Sequence, residues 1–379
     1  MTRTGSWPRE AGESLAAAAW PYAVSRAIVI GAVLLARFLV TDVQIRSKTA
    51  SAAAHAGLLG WDAHWYELIA RVGYGGAGRQ SLRFFPLLPL TARGLALLPG
   101  VSTGLALLVV SNAAALVAMA LLHRLVLLET HNDSSARRAP WLLALFPAAF
   151  VLVMGYAESL LLVAALAAFL CLRTERFAWA GVAGVFAGAC RPVGLLLVVP
   201  ACVEGLRRWR GISKPPRGWT TRVAAVLGAP VGTAVYLIWS KAHDGSFLLP
   251  FREQVSSANR GAVADPVTTI SHDLSDLAHG SHLGTALHAP WAVIFVLLAV
   301  LLWRRWPASY GAYATATLVV ALTAPNLTSF ERYGLGCFPF LLAITTVTER
   351  QAVRWAVLSV SGALLAVYSL LAFLGVYVP

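Results

Sequence analysis

The chain reads as a succession of apolar runs separated by short polar breaks, with basic residues clustered in the breaks. Eleven runs are candidate membrane spans: Ala23–Val40, Gly104–Leu122, Trp141–Met154, Ser159–Leu172, Ala178–Cys190, Val193–Val203, Val223–Ser240, Pro290–Trp303, Tyr310–Ala324, Gly334–Val347 and Trp355–Val376. Several fall short of the roughly 20 helical residues that cross a bilayer straight. The pattern predicts an all-α, polytopic transmembrane protein of about 11 spans, with residues 1–379 forming a single membrane-embedded domain. The runs from Trp141–Met154 to Val193–Val203 are short and rich in Gly and Ala, so they need not cross fully. Gly181, Gly184 and Gly188 offer faces for close packing, and broken helices are tolerated where they line a cavity, here one opening outward.

Composition strengthens this reading. Hydrophobic residues make up 58% of the chain and charged residues only 12%, about half the roughly 25% charged share of soluble domains. Such a chain cannot cover an aqueous surface with polar groups, whereas in lipid it can leave leucine and valine outside. The formal charge of +13 would point to nucleic acid if it formed one stripe or tail. Instead it is divided among short clusters such as Arg207, Arg208, Arg210, Lys214, Arg217 and Arg222, the pattern of loops facing anionic headgroups. The four cysteines have no metal-ligand spacing and read as small core residues.

Sidedness follows from the same clusters. The first run, preceded by Arg3 and Arg9, is too long for a secretory signal and reads as a retained helix. With a cytoplasmic N-terminus, span counting places Arg124, Arg137 and Arg138, then Arg173 and Arg176, Arg207 to Arg222, Arg304 and Arg305, and Arg350 and Arg354 inside. Two long loops, about 55–99 and about 241–288, fall outside with the C-terminus. The expected location is a cell membrane, multi-pass, in contact with membrane lipids.

The richest segment is Trp61-Asp62-Ala63-His64-Trp65-Tyr66-Glu67-Leu68-Ile69-Ala70-Arg71-Val72-Gly73-Tyr74. As a helix it sets Trp61, Trp65, Leu68, Ile69 and Val72 on one face, with Asp62 and Tyr66 beside it. This predicts an amphipathic helix on the outer membrane surface, tryptophans at headgroup level. Asp62 then sits near the helix start at the border of water and lipid. There it is either a functional carboxylate or a group that merely favours the helix N-terminus.

This segment resembles the first-loop motif of GT-C fold glycosyltransferases, in particular the bacterial PIG-V-like relatives of GPI mannosyltransferase II. Further motifs of that family follow in order: Phe84-Phe85-Pro86-Leu87-Leu88-Pro89-Leu90, Gly155-Tyr156-Ala157-Glu158-Ser159-Leu160, Arg191-Pro192-Val193-Gly194-Leu195, and Ser329-Phe330-Glu331-Arg332-Tyr333 with Phe338-Pro339. The resemblance implies a GT-C-like fold and an extracytoplasmic, inverting mannosyltransferase. Its donor would be a polyprenyl-phosphate sugar and its acceptor a glycolipid, glycan or protein; separately, the sequence shows no sign of a cofactor.

Asp62 matches the family's first-loop acid and is the candidate catalytic base. Arg332, Arg191 and Tyr333 are candidates for the donor phosphate, since guanidinium pairs with phosphate oxygens and stays charged in low dielectric. Arg332 is the first choice, its alternative a salt bridge with Glu331 or another carboxylate, while Arg191 equally suits an anchor to headgroups. His64, Tyr66 and Glu158 are candidate substrate contacts; Glu158 also suits a helix start, and His64 an interface position. The second long loop carries His243, Asp244, His272, Asp273, Asp276, His279, His282 and His288 at spacings that match no zinc pattern, and closing over the acceptor is its expected role. No Gly-rich nucleotide loop occurs, which disfavours a nucleotide-sugar donor. The rivals are a transporter or flippase of lipid-linked sugars, expected to show two related halves with broken helices and midplane charges, and a non-catalytic subunit of the same fold.

Overall fold

Uninterrupted apolar runs become long helices because lipid offers the backbone no other hydrogen-bonding partner. The computed structural model describes residues 7–43, 47–207, 218–256, 265, 267–269, 271, 275, 279, 288–323, 327 and 329–378. Among these the regular structure is helical throughout, without strands. Among the described residues four helices are long and apolar enough to cross a membrane by length and composition: α1 (Trp7–Thr41), α5 (Thr103–Thr130), α10 (Trp219–Asp244) and α16 (Gln351–Phe373). At most half of the apolar window of each is buried. Leu34, Phe38, Val235, Ile238, Trp355 and Val360 point outward from α1, α10 and α16, a surface suited to lipid and far too apolar for water.

Shorter helices complete the body: α2 (Lys48–Ala56), α3 (Asp62–Ala77), α4 (Leu87–Leu95), α6 (Asp133–Ala144), α7 (Glu158–Arg173), α8 (Phe177–Cys190), α9 (Val198–Leu206), α11 (Leu249–Gln254), α12 (Ala289–Arg305), α13 (Ala308–Leu322), α14 (Phe330–Gly336) and α15 (Pro339–Val347). Three of the expected spans are broken. Val193–Val203 is a 3-10 turn followed by α9, and Gly334–Val347 is split between α14 and α15 at Cys337 and Phe338. Trp141–Met154 leaves α6 at Ala144 and continues as turns and a 3-10 segment, Ala149–Leu152.

That irregular backbone lies in the buried core, and its carbonyls need partners there. Arg26, midway along α1, supplies one: its Nη2 donates to the Leu152 carbonyl at 2.9 Å and its Nε to Asn112 Oδ1 at 3.1 Å. Asn112 Nδ2 in turn donates to the Val153 carbonyl at 2.9 Å. An arginine inside an apolar run thus has a structural task.

Helices α8 and α10 meet backbone to backbone. A Cβ at Gly188 would stand 2.1 Å from the Ala229 carbonyl oxygen, and one at Gly232 would stand 2.0 Å from that of Val185. Only hydrogen fits at these positions, which is how small-residue faces gain van der Waals contact in lipid.

Helix α3 departs from its expected orientation. The face turned into the protein is Ala63, Tyr66, Ile69, Ala70 and Ala77, while Trp61, Trp65 and Leu68 are half-buried and Val72 is exposed. The small Ala face packs inward, the tryptophans take its rim, and His64 and Arg71 lie exposed on the polar side. Gly73, at φ 74°, kinks it before the final turn.

Candidate active site

Two polar layers cap opposite ends of the bundle. In one, Arg173 at the end of α7 binds Glu129 at 2.6 and 3.2 Å and Glu204 at 3.0 Å. Ser309 and Tyr310 at the start of α13 donate to Glu204 and Glu129 at 2.7 and 3.0 Å. This layer ties α5, α7, α9 and α13 together at the end where Arg207 and Arg305 also lie. The start of α7, about 22 Å away by helical rise, carries the second layer.

There, four of the residues singled out from sequence meet. Asp62 opens α3, Glu158 opens α7, Arg191 follows α8 and Arg332 lies in the first turn of α14. Arg332 Nη1 donates to Asp62 Oδ2 at 2.7 Å, and its Nε lies 2.9 Å from Glu158 Oε1. The same Glu158 oxygen accepts from Arg191 Nη1. The result is a continuous chain, Asp62–Arg332–Glu158–Arg191. Its members are graded in exposure: the Glu158 side chain is 1% exposed, Arg332 10%, Arg191 13% and Asp62 28%. The carboxylate with most access to outside reactants is therefore Asp62, while Glu158 is spent on the two guanidiniums.

Local backbone explains the convergence. Trp61, at φ 56°, is in a region that non-glycine residues rarely occupy, and it turns the chain sharply so that Asp62 starts α3. Ser329, at φ 63°, does the same ahead of α14. At the third corner Gly194 folds back against α8, where a Cβ would lie 1.9 Å from the Ala187 carbonyl oxygen. The short spacing in Arg191-Pro192-Val193-Gly194 thus holds the guanidinium over the start of α7.

Arg191, Arg332 and Tyr333 also line a narrow cleft, with Leu161, Val193, Tyr313, Thr317 and Gly336 along its walls. The Arg191 guanidinium lies 5.9 Å from the centre of the Tyr333 ring. One end of the cleft is cationic and the remainder mostly apolar, a chemistry suited to an anionic head on an apolar tail.

The other sequence candidates fall around this centre. Tyr66 is buried on α3, edge-on to Phe84 at 5.1 Å. Burial raises its phenol well above the ordinary value, and Arg191, Glu158 and Asp62 lie within electrostatic reach. His64 is exposed on α3, with its ring 6.1 Å from that of Trp65. Arg332 pairs with Asp62 and Glu158, and Glu331 instead receives bonds from His288 Nδ1 and, at 3.0 Å, from the Tyr377 hydroxyl. Within the second long loop, His243 and His279 are exposed, each turned to a backbone carbonyl, and Asp244 ends α10. His272, Asp273, Asp276 and His282 lie outside the described residues, as do Arg208, Arg210, Lys214 and Arg217. No three His, Cys, Asp or Glu side chains converge as metal ligands among the described residues.

Sequence reasoning named Tyr156 within a motif but gave it no role. Its hydroxyl accepts from the Asp62 backbone N–H at 3.2 Å, its carbonyl accepts from Ser111 at 3.1 Å, and its ring centre lies 5.4 Å from the Arg332 guanidinium. The signal was its place two residues before Glu158. Arg26 and His288 were also legible as ionisable groups against apolar runs.

No curated protein and no solved structure matches the chain. The model of glycosyltransferase family 87 matches residues 85–329, well over half of the chain. Glu158, Arg191 and His288 fall within the matched stretch, and Asp62 and Arg332 flank it. The described residues include four helices fit to cross a bilayer, and with this match the chain belongs to glycosyltransferase family 87, a family of membrane glycosyltransferases.

Proposed function

We propose that the protein transfers a sugar from a polyprenyl-phosphate carrier to an acceptor hydroxyl on the extracytoplasmic side of the membrane, with inversion at the anomeric carbon. Mannose is the proposed sugar, on the ordered motifs that resemble the PIG-V-like family. The acceptor is a glycolipid, a glycan or a protein. The observation that carries this reading is the Arg332–Glu158–Arg191 cluster at the head of an apolar-walled cleft, with a partly exposed carboxylate, Asp62, beside it.

The residue types suit the chemistry. As the acceptor oxygen bonds to the anomeric carbon, the bond from that carbon to the phosphate oxygen breaks, and negative charge grows on the departing phosphate. Arg332 and Arg191 receive that charge in a site of restricted water, where it is worth more than in bulk. Asp62 takes the hydroxyl proton. In the resting protein Asp62 is held by Arg332. Two guanidiniums and two carboxylates balance, so an arriving phosphodiester leaves one excess negative charge. Phosphate takes the Arg332 Nη1 position and frees Asp62 as the base; when Asp62 takes the hydroxyl proton, the charge it loses reappears on the departing phosphate, which the two arginines hold. Glu158, whose Oε1 faces both arginines, acts as their fixed counter-ion.

The outer-side assignment draws on the basic loops of the opposite layer. The decisive experiment supplies purified protein with radiolabelled polyprenyl-phosphate mannose and a membrane extract, in parallel with a labelled nucleotide sugar. Label should become covalently attached from the lipid donor alone. Attachment from the nucleotide sugar, or passage of label across vesicles without attachment, contradicts the proposal.

A further inference from the structure

Asp62 and Arg332 are 270 positions apart and lie on different helices, yet the residue preceding each is tied to the same short turn. The indole N–H of Trp61 donates to the Ala372 carbonyl at 3.1 Å. The hydroxyl of Tyr377 donates to Glu331 Oε2 at 3.0 Å. Ala372 and Tyr377 belong to the last turn of α16 and the loop that closes it.

That closure is stiff. Gly375 adopts φ 70°, the Val376 and Tyr377 N–H groups return to the Leu371 carbonyl at 2.9 and 3.2 Å, and the Gly375 N–H returns to Ala372 at 3.1 Å. These bonds satisfy the carbonyls that a helix end leaves open. Tyr377 is 1% exposed, stacked on Tyr368 with ring centres 4.9 Å apart and 5.0 Å from the His288 ring. Glu331 is fully buried, and its Oε2 takes both the Tyr377 hydroxyl and His288 Nδ1. Moving a buried carboxylate with two donors on one oxygen would orphan all three groups.

We infer that the turn Ala372–Tyr377 sets the distance between Asp62 and Arg332, and that Tyr377, acting through Glu331, is a positioning residue for sugar transfer. Trp61 anchors the Asp62 side and Tyr377 the Arg332 side, so one rigid element aligns proton acceptor and phosphate ligand. The kinetic part of the inference rests on the function proposed above; the structural part does not.

Both parts can be measured. Tyr377→Phe keeps the ring on Tyr368 and removes only the hydroxyl. Thermal unfolding of the full-length protein in detergent is compared for the unaltered chain, Tyr377→Phe, Asp62→Asn and the double variant. The expected result is coupling: the melting shift caused by Asp62→Asn shrinks by about half or more when Tyr377 is already Phe. Additive shifts overturn the inference. In the transfer assay, Tyr377→Phe should lower turnover about tenfold through misalignment, with the KM for acceptor unchanged, whereas full turnover overturns the inference. If the unaltered protein transfers no sugar, the proposed function fails and the unfolding cycle alone decides this inference. Should Tyr377→Phe not fold, Trp61→Phe enters the same cycle with the same two outcomes.

Discussion

Arg332 makes two different uses of one guanidinium, Nη1 toward Asp62 at 2.7 Å and Nε toward Glu158 at 2.9 Å. A planar fork can serve both carboxylates together, whereas an ammonium is a point charge with no fixed fork. Arg332→Lys should therefore lower kcat/KM for the lipid-linked donor by about 100-fold while leaving net charge intact. Initial rates at varied donor concentration test this, and an unchanged ratio would remove Arg332 from the phosphate site. Candidate residues were legible here because membrane-edge charges are costly and few. Their pairing was not, since sequence order does not reveal that residues 62, 158, 191 and 332 meet. Glu158 shows the difference: the sequence offered a helix-starting carboxylate or a substrate contact, and only the fold reveals the two arginines beside it.

At the scale of helices, α8 and α10 are held by contact between backbones. Leucine in place of Gly188 would drive carbon into the Ala229 carbonyl, 2.1 Å from the first added atom. Gly188→Leu should cost about 1–3 kcal/mol or more through overpacking, read as a lower melting temperature in detergent. A melting temperature equal to that of the unaltered protein would mean that the two helices are not closely packed. Long apolar runs announced α1, α5, α10 and α16 plainly, because a lone helix in lipid must satisfy its own backbone. The break after Ala144 was harder to read. Its local warning is Pro147, which has no N–H to donate, but the groups that make the break tolerable, Arg26 and Asn112, come from two other helices. The inward face of α3 was hidden for a related reason: its alanines fit close against neighbours, which an apolar stripe centred on the tryptophans does not reveal.

Across the whole molecule, the two polar layers give the bundle a polarity. One gathers Glu129, Arg173, Glu204 and Tyr310; the other holds Asp62, Glu158, Arg191 and Arg332. With the basic breaks near the first layer, the second faces outward in the proposed orientation. Gln80→Cys and Arg137→Cys, each in a chain whose native cysteines are replaced, place labels on exposed positions of opposite layers. An impermeant thiol reagent applied to intact cells should label position 80 and spare position 137, and the opposite pattern would put the site in the cytosol. The most direct test of the account concerns the proton acceptor itself. Single-turnover transfer from labelled polyprenyl-phosphate mannose should fall by about 100-fold or more in Asp62→Asn, with the protein folded and donor still bound. Transfer by that variant at the unaltered rate would contradict the role assigned to Asp62 and the mechanism built on it.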